Sequence, residues 1–236
     1  MTEIIDDWGT KDVLCSQDPK YREFYDLVIF SLKRNVELVE HEDYKRKVGY
    51  KLETQNHETG DKIFSRVFPK YGKTFFATGD FEASPDLMFQ INYHEIEDCT
   101  KWNPNVLDYR KVADVSTSTD VTYMCLPDMF GVISSRDFVD ARLWRKRDGI
   151  YYVAGHSVTF DQVPKVKGKV RAEYGPTVVR LAPIDGKPNH THLDWMMSAD
   201  LKGFLPKSLT DRAFHFQMME YLKHMRKHVQ SRRETS

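Results

Sequence analysis

What this chain lacks narrows its role before anything it contains does. It has no run of roughly 18 apolar residues, the least a membrane-spanning helix needs. Its opening, MTEIIDDWGTKD, is neither the basic-then-apolar pattern of a secretory leader nor the arginine-rich pattern of a mitochondrial one. A freely soluble cytoplasmic protein is expected. Cysteine is scarce: Cys15, Cys99 and Cys125 are odd in number and far apart. That spacing argues against a disulfide framework or a paired-cysteine metal site and suits a reducing compartment. Neither sign of charge is in excess, with 35 basic and 35 acidic residues, so no global field draws the chain to nucleic acid.

Catalytic patterns are missing as well. There is no Gly-x-Ser-x-Gly elbow, no His-Glu-x-x-His and no phosphate-cradling glycine loop. His224 and His228 lie one helical turn apart, and His190 and His192 share a strand face, but neither pair has a third ligand in pattern. No catalytic residue, metal or cofactor is expected. With no repeat and no Pro/Gly/Ser-rich break, the 236 residues read as one monomeric domain. Residues 1–10 are expected as an N-terminal tail, 11–230 as the domain and 231–236 as a disordered tail.

What is present is clearest between Leu193 and Val229. An alternating strand there leads through a Lys-Gly turn to Pro206 and then a long helix. Phe214, Met218, Tyr221, Leu222, Met225 and Val229 form one stripe at the helical period. Upstream, Asp18 followed by Pro19 starts a helix over 19–33 with Phe24, Leu27, Val28 and Leu32 on one side. Three strand-like runs fill Lys47 to Phe81, split at Gly60 and Gly72, and Ser84-Pro85 starts a second helix. Further strands are predicted near 108–126, 136–147, 149–160, 169–184 and 190–200. Hairpins without a repeated strand-helix-strand unit predict an α+β fold, an antiparallel sheet with helices segregated to one side. The last helix then either caps a solid core or lids a hollow one.

Four segments resemble, in order and spacing, the START domain family of lipid-transfer proteins related to steroidogenic acute regulatory protein: Trp102 to Val106 (WNPNV), Ser135 to Val139 (SRDFV) with Arg142, Val170 to Pro176 (VRAEYGP), and Asp200 to Pro206 (DLKGFLP). Weaker similarity reaches back to Val36, and the wording is most similar to the cholesterol-carrying subgroup. The resemblance implies a helix-grip fold, a curved antiparallel sheet around the C-terminal helix, enclosing a tunnel for one lipid. It also implies that Arg142 points into the tunnel beside an acidic residue of the preceding strand, and that the pair receives a sterol hydroxyl. Here the chain departs from the family: aligning forward from Trp102 puts Met124 where the acid belongs. Asp140, two residues from Arg142 on the same strand face, is expected to partner it instead.

Phe138 and Trp144 share that face, and Trp195, Met197, Phe214, Met218 and Leu222 are further candidate ligand contacts. The loop from Leu126 to Ser135 matches a family Ω-loop at the tunnel mouth. Its Met129, Phe130, Val132 and Ile133 are expected to form a lid that packs on the last helix, with transient membrane-surface contact as an added role. The function expected is binding and transfer of a lipid, a sterol such as cholesterol, without chemistry. A carotenoid or other lipid carrier, a ligand-gated regulatory module and a helix-grip cyclase are the alternatives.

Overall fold

Asp18 and Pro19 do open a long helix in the computed structural model, which describes residues 2–234. The Asp18 carboxylate accepts a hydrogen bond from the Lys20 amide at 2.9 Å, a donor that a helix start leaves without an internal partner. Helix α1 spans Pro19–Glu40. It outruns the predicted end at residue 33 because Asn35 and Val39 prolong the buried stripe of Phe24, Val28 and Leu32.

Ahead of it lie β1 (Glu3–Ile5) and β2 (Lys11–Val13), paired antiparallel. Residues 1–10 are therefore not a free tail over their described part. Arg145, 1% exposed, holds them. It donates to Asp6 at 2.6 Å and Tyr25 at 3.0 Å, and also to Asp12 and Ser118. An unpaired buried guanidinium would cost several kcal/mol, so these acceptors fix the N-terminal hairpin against the main sheet.

The remaining elements are α2 (Glu42–Lys45), β3 (Lys51–Gln55), β4 (Lys62–Phe68), β5 (Gly72–Phe81), α3 (Pro85–Phe89), α4 (Cys99–Trp102), β6 (Asp108–Ser116), β7 (Thr119–Leu126), β8 (Arg136–Arg147), β9 (Ile150–Ser157), β10 (Val170–Arg171), β11 (Glu173–Ile184), β12 (Lys187–Asp200) and α5 (Lys207–Glu234). A π-helical turn, Gln90–His94, continues α3. The sheet order is β3-β4-β5-β12-β11-β9-β8-β7-β6, antiparallel along this path, with the short β10 parallel to β8. Asp148 and Gly149, both at positive φ (51° and 77°), make the tight β8–β9 turn whose twist matches that of its strands.

The helices do not share one side as predicted. Alternation on β8 sends Val139, Ala141 and Leu143 to an outer core under α1, and Phe138 to an inner core with α3 and α5. The sheet is thus covered on both faces, and only its inner face is closed by the C-terminal helix. That helix also outlasts its predicted end. Residues 231–234 are helical, with Arg232 paired to Glu95 at 2.7 Å and Arg233 to Glu82. The rest of the predicted disordered tail, 235 and 236, lies outside the described residues.

Candidate functional site

Between the inner sheet face and α5 lies a cavity of about 170 Å³. That is smaller than the roughly 300–1,000 Å³ of small-molecule sites, and well above the roughly 10–15 Å³ that a single water needs. Strand alternation decides what lines it. Phe138, Asp140 and Arg142 enter from β8, Tyr109 and Met124 from β6 and β7, Tyr174 and Val179 from β11, and Leu193, Trp195 and Met197 from β12. Helix α5 contributes Ala213, Phe214, Gln217 and Tyr221.

Among the described residues, Arg142 is the one basic residue in the lining. Its guanidinium donates to Asp120 across the β7–β8 pairing, Nε to Oδ1 at 3.0 Å and Nη2 to Oδ2 at 2.7 Å. It also donates to the Asn92 carbonyl at 3.4 Å and the Tyr93 carbonyl at 3.1 Å. Burial alone would lower the guanidinium pKa, but Asp120 and the neighbouring tyrosines hold it above its ordinary value. Asp140 is therefore not the partner of Arg142. Its Oδ1 accepts from the Ser157 hydroxyl at 2.6 Å instead. Burial pushes the Asp140 carboxyl up to about 7, against smaller opposing effects of Ser157, Arg142 and Arg171. Met124 does line the cavity, so the wall is apolar where the aligned acid was sought.

The pairing of β7 with β8 sets the partner: it runs in unbroken register, with Asp120 opposite Arg142 and Met124 opposite Phe138. An acid beside the β6–β7 turn was the available signal.

Other candidates divide. Trp195, Met197 and Phe214 line the cavity, but Met218, Leu222 and Trp144 do not. Met218 and Leu222 are fully buried in the inner core, and Trp144 packs against Phe89 at 4.9 Å and Tyr151 at 6.2 Å. Gln217, Tyr109 and Tyr174 were missed, since polar tips hide residues from a hydrophobic count, and Tyr221 stood in the helical stripe without being singled out as a ligand contact. In the loop, Met129 lines the cavity and its sulfur accepts from the Gln217 amide at 3.1 Å. Phe130 lies edge-on to Phe216 at 5.4 Å and beneath the Arg212 guanidinium at 4.5 Å. Ile133 is buried, whereas Val132 is 66% exposed. The loop thus lies on α5 with one apolar side chain turned outward.

Among the described residues no group of three or more His, Cys, Asp or Glu is arranged to hold a metal, and no helix is long and apolar enough to cross a membrane. Cys15, Cys99 and Cys125 are free thiols.

Comparison with known proteins agrees with this architecture. The family model described as START domain matches residues 34–235. The mitochondrial steroidogenic acute regulatory proteins of horse and human are 32% and 33% identical over 184 residues, 78% of this chain. The chain spans 64% of the length of those relatives. The solved structure of human StAR-related lipid transfer protein 5 superposes with a TM-score of 0.70 at 22% identity, covering 86% of this chain and 98% of that one, which shows the shared fold. With the hollow between sheet and C-terminal helix, and the family model spanning most of the sequence, the chain belongs to the START domain family.

Proposed function

We propose that this protein is a lipid carrier that encloses one lipid, a sterol, and moves it between membranes in the cytoplasm. The observation that carries the reading is a hollow with mostly apolar walls whose lining includes the buried Arg142, itself paired with Asp120. Enclosing a few hundred Å² of apolar ligand surface is worth on the order of 10 kcal/mol at about 25 cal/mol per Å², before ordering costs. One polar end group suffices for orientation. Four of the five guanidinium N–H groups of Arg142 are committed, which leaves one on Nη1 for a ligand hydroxyl. Asp140, Met124, Phe138, Trp195, Met197 and Phe214 complete the proposed contact surface.

The names of the relatives favour the same reading, one by steroidogenesis and one by lipid transfer. Val132 in the Met129 loop and the fully exposed Phe204, three residues ahead of α5, are apolar groups suited to touching a membrane during exchange. Free thiols in the described chain fit a reducing compartment. The test is transfer of a fluorescent sterol from donor to acceptor vesicles. Catalysed transfer with one sterol bound per protein is the expected result. Stoichiometric binding without transfer would replace the carrier by a ligand-gated module, and no binding would remove the sterol.

A further inference from the structure

Arg142 is not the most available polar group in the cavity. Its fork is spent largely on Asp120 and on the carbonyls of Asn92 and Tyr93. Asp140, also in the lining and 6% exposed, makes one hydrogen bond, from Ser157. The Ser157 hydroxyl is itself anchored, since it accepts the Tyr174 amide at 2.8 Å. The carboxyl is thus held in place by one oxygen while the other is left for an occupant of the hollow.

Its position along the hollow follows from β8. Phe138 stacks on Tyr174 at 4.4 Å, Asp140 comes next, and Arg142 follows, bonded to the carbonyls of Asn92 and Tyr93. Two residues on one strand face put the Cα atoms of Asp140 and Arg142 about 6.6 Å apart at roughly 3.3 Å per residue. The lining therefore carries an acidic and a basic group one pleat apart on a single strand.

We propose that Asp140 is a second ligand-binding group, and that it selects a neutral sterol-like lipid with an additional oxygen on its ring system, close to the terminal hydroxyl received at Arg142. The inference rests on the carrier reading above and names its substrate class. Below about pH 7 the buried carboxyl is neutral and can donate to a ketone or both donate to and accept from a hydroxyl. The groups that face it are Ser157 on β9, Tyr174 on β11, Tyr109 on β6, Arg142 on its own strand and Arg171 on β10. Tyr221 of α5 stands beside the two tyrosines. Burial holds Tyr109, Tyr174 and Tyr221 above the ordinary tyrosine range, so Asp140 is the group in this cluster that changes charge near neutrality.

The experiment compares the affinities of cholesterol, 7-ketocholesterol and 25-hydroxycholesterol for the full chain near pH 6 and near pH 8. The wild type, Asp140→Asn and Asp140→Leu are measured. The wild type should bind the ring ketone about tenfold more tightly than the other two near pH 6, the worth of one buried hydrogen bond, and lose much of that preference near pH 8, where the carboxylate cannot donate. Asp140→Asn, which keeps a donor and adds no charge, should keep the preference at both pH values. Asp140→Leu should lose the preference at both pH values. Cholesterol binding by the wild type without discrimination, or discrimination surviving in Asp140→Leu, overturns the inference alone. Failure of the wild type to bind any of the three overturns the sterol-carrier reading together with it.

Discussion

Arg142 and Asp120 face each other directly across β7 and β8, and both are nearly inaccessible, 6% and 4% exposed. Removing one partner leaves the other as an uncompensated buried charge, which costs about 3–5 kcal/mol. Asp120→Ala should therefore lower stability by that amount in urea unfolding. The double variant Asp120→Leu with Arg142→Met should recover most of the loss, because apolar groups of similar volume suit a buried site. It should nonetheless fail to orient a sterol. A single-variant cost below about 1 kcal/mol would mean that the pair is solvated, not buried.

Asp140 makes stability depend on pH in the opposite sense from a salt-bridged carboxylate. Its folded pKa is raised to about 7 from 3.8 because burial disfavours the charged form. The folded protein holds this proton more tightly than the unfolded chain, so the stabilisation is full below about pH 4. It is lost as pH rises to about 7, with a total on the order of 4 kcal/mol at 1.36 kcal/mol per unit. Asp140→Asn should flatten that decline and be more stable than wild type near pH 8. Equal slopes for the two proteins between pH 5 and 7 would show that Asp140 ionises freely, as an exposed carboxylate does.

Much of this was readable in the sequence, and the failures share a cause. Local rules located α1 from Asp18-Pro19, β8 and β9 from the strand runs near 136–147 and 149–160, and the inward face of β8 from its alternation. They could not see register. Which β7 residue opposes Arg142 is set by the pairing of β7 with β8, and a count along the chain from Trp102 does not reveal it. Likewise, a helical stripe shows which side of α5 is buried but not whether a side chain meets another wall or a void. Met218 and Leu222 meet the core, while Gln217 and Tyr221, one residue away on the same helix, meet the hollow. The N-terminal hairpin escaped because strands of three residues carry no periodicity, and its anchor is a charge network with Arg145, far away in sequence.

That network predicts a stabilising role for the first residues. Burial pushes the Asp12 carboxyl up, yet Thr117, Ser118 and Arg145 together hold it below its ordinary value. The stability it contributes is therefore present above about pH 4 and lost as pH falls through the lowered folded value. Asp12→Ala should cost about 1–3 kcal/mol near neutrality, since buried Ser118 and one side of Arg145 would lose their acceptor while Asp6 still pairs with Arg145. Deletion of residues 1–10, which removes Asp6 and β1, should also destabilise the fold, with amide exchange in β8 reporting the opening. An unchanged unfolding midpoint after the deletion would return this segment to the status of a tail.

Val132 and Phe204 separate holding a lipid from delivering it. Both are exposed apolar side chains, while Met129 and Ile133 of the loop that holds Val132 are buried. Replacing the exposed pair by aspartate removes apolar area available to a bilayer and adds charge that anionic headgroups repel, without touching the cavity lining. At about 1.5–3 kcal/mol for each buried apolar side chain, the double variant should transfer sterol between vesicles at least tenfold more slowly. Its affinity for sterol and its unfolding midpoint should match the wild type. If transfer and binding fall together, the loop shapes the cavity and the membrane role is lost. If neither changes, sterol exchange takes place through a different part of the surface.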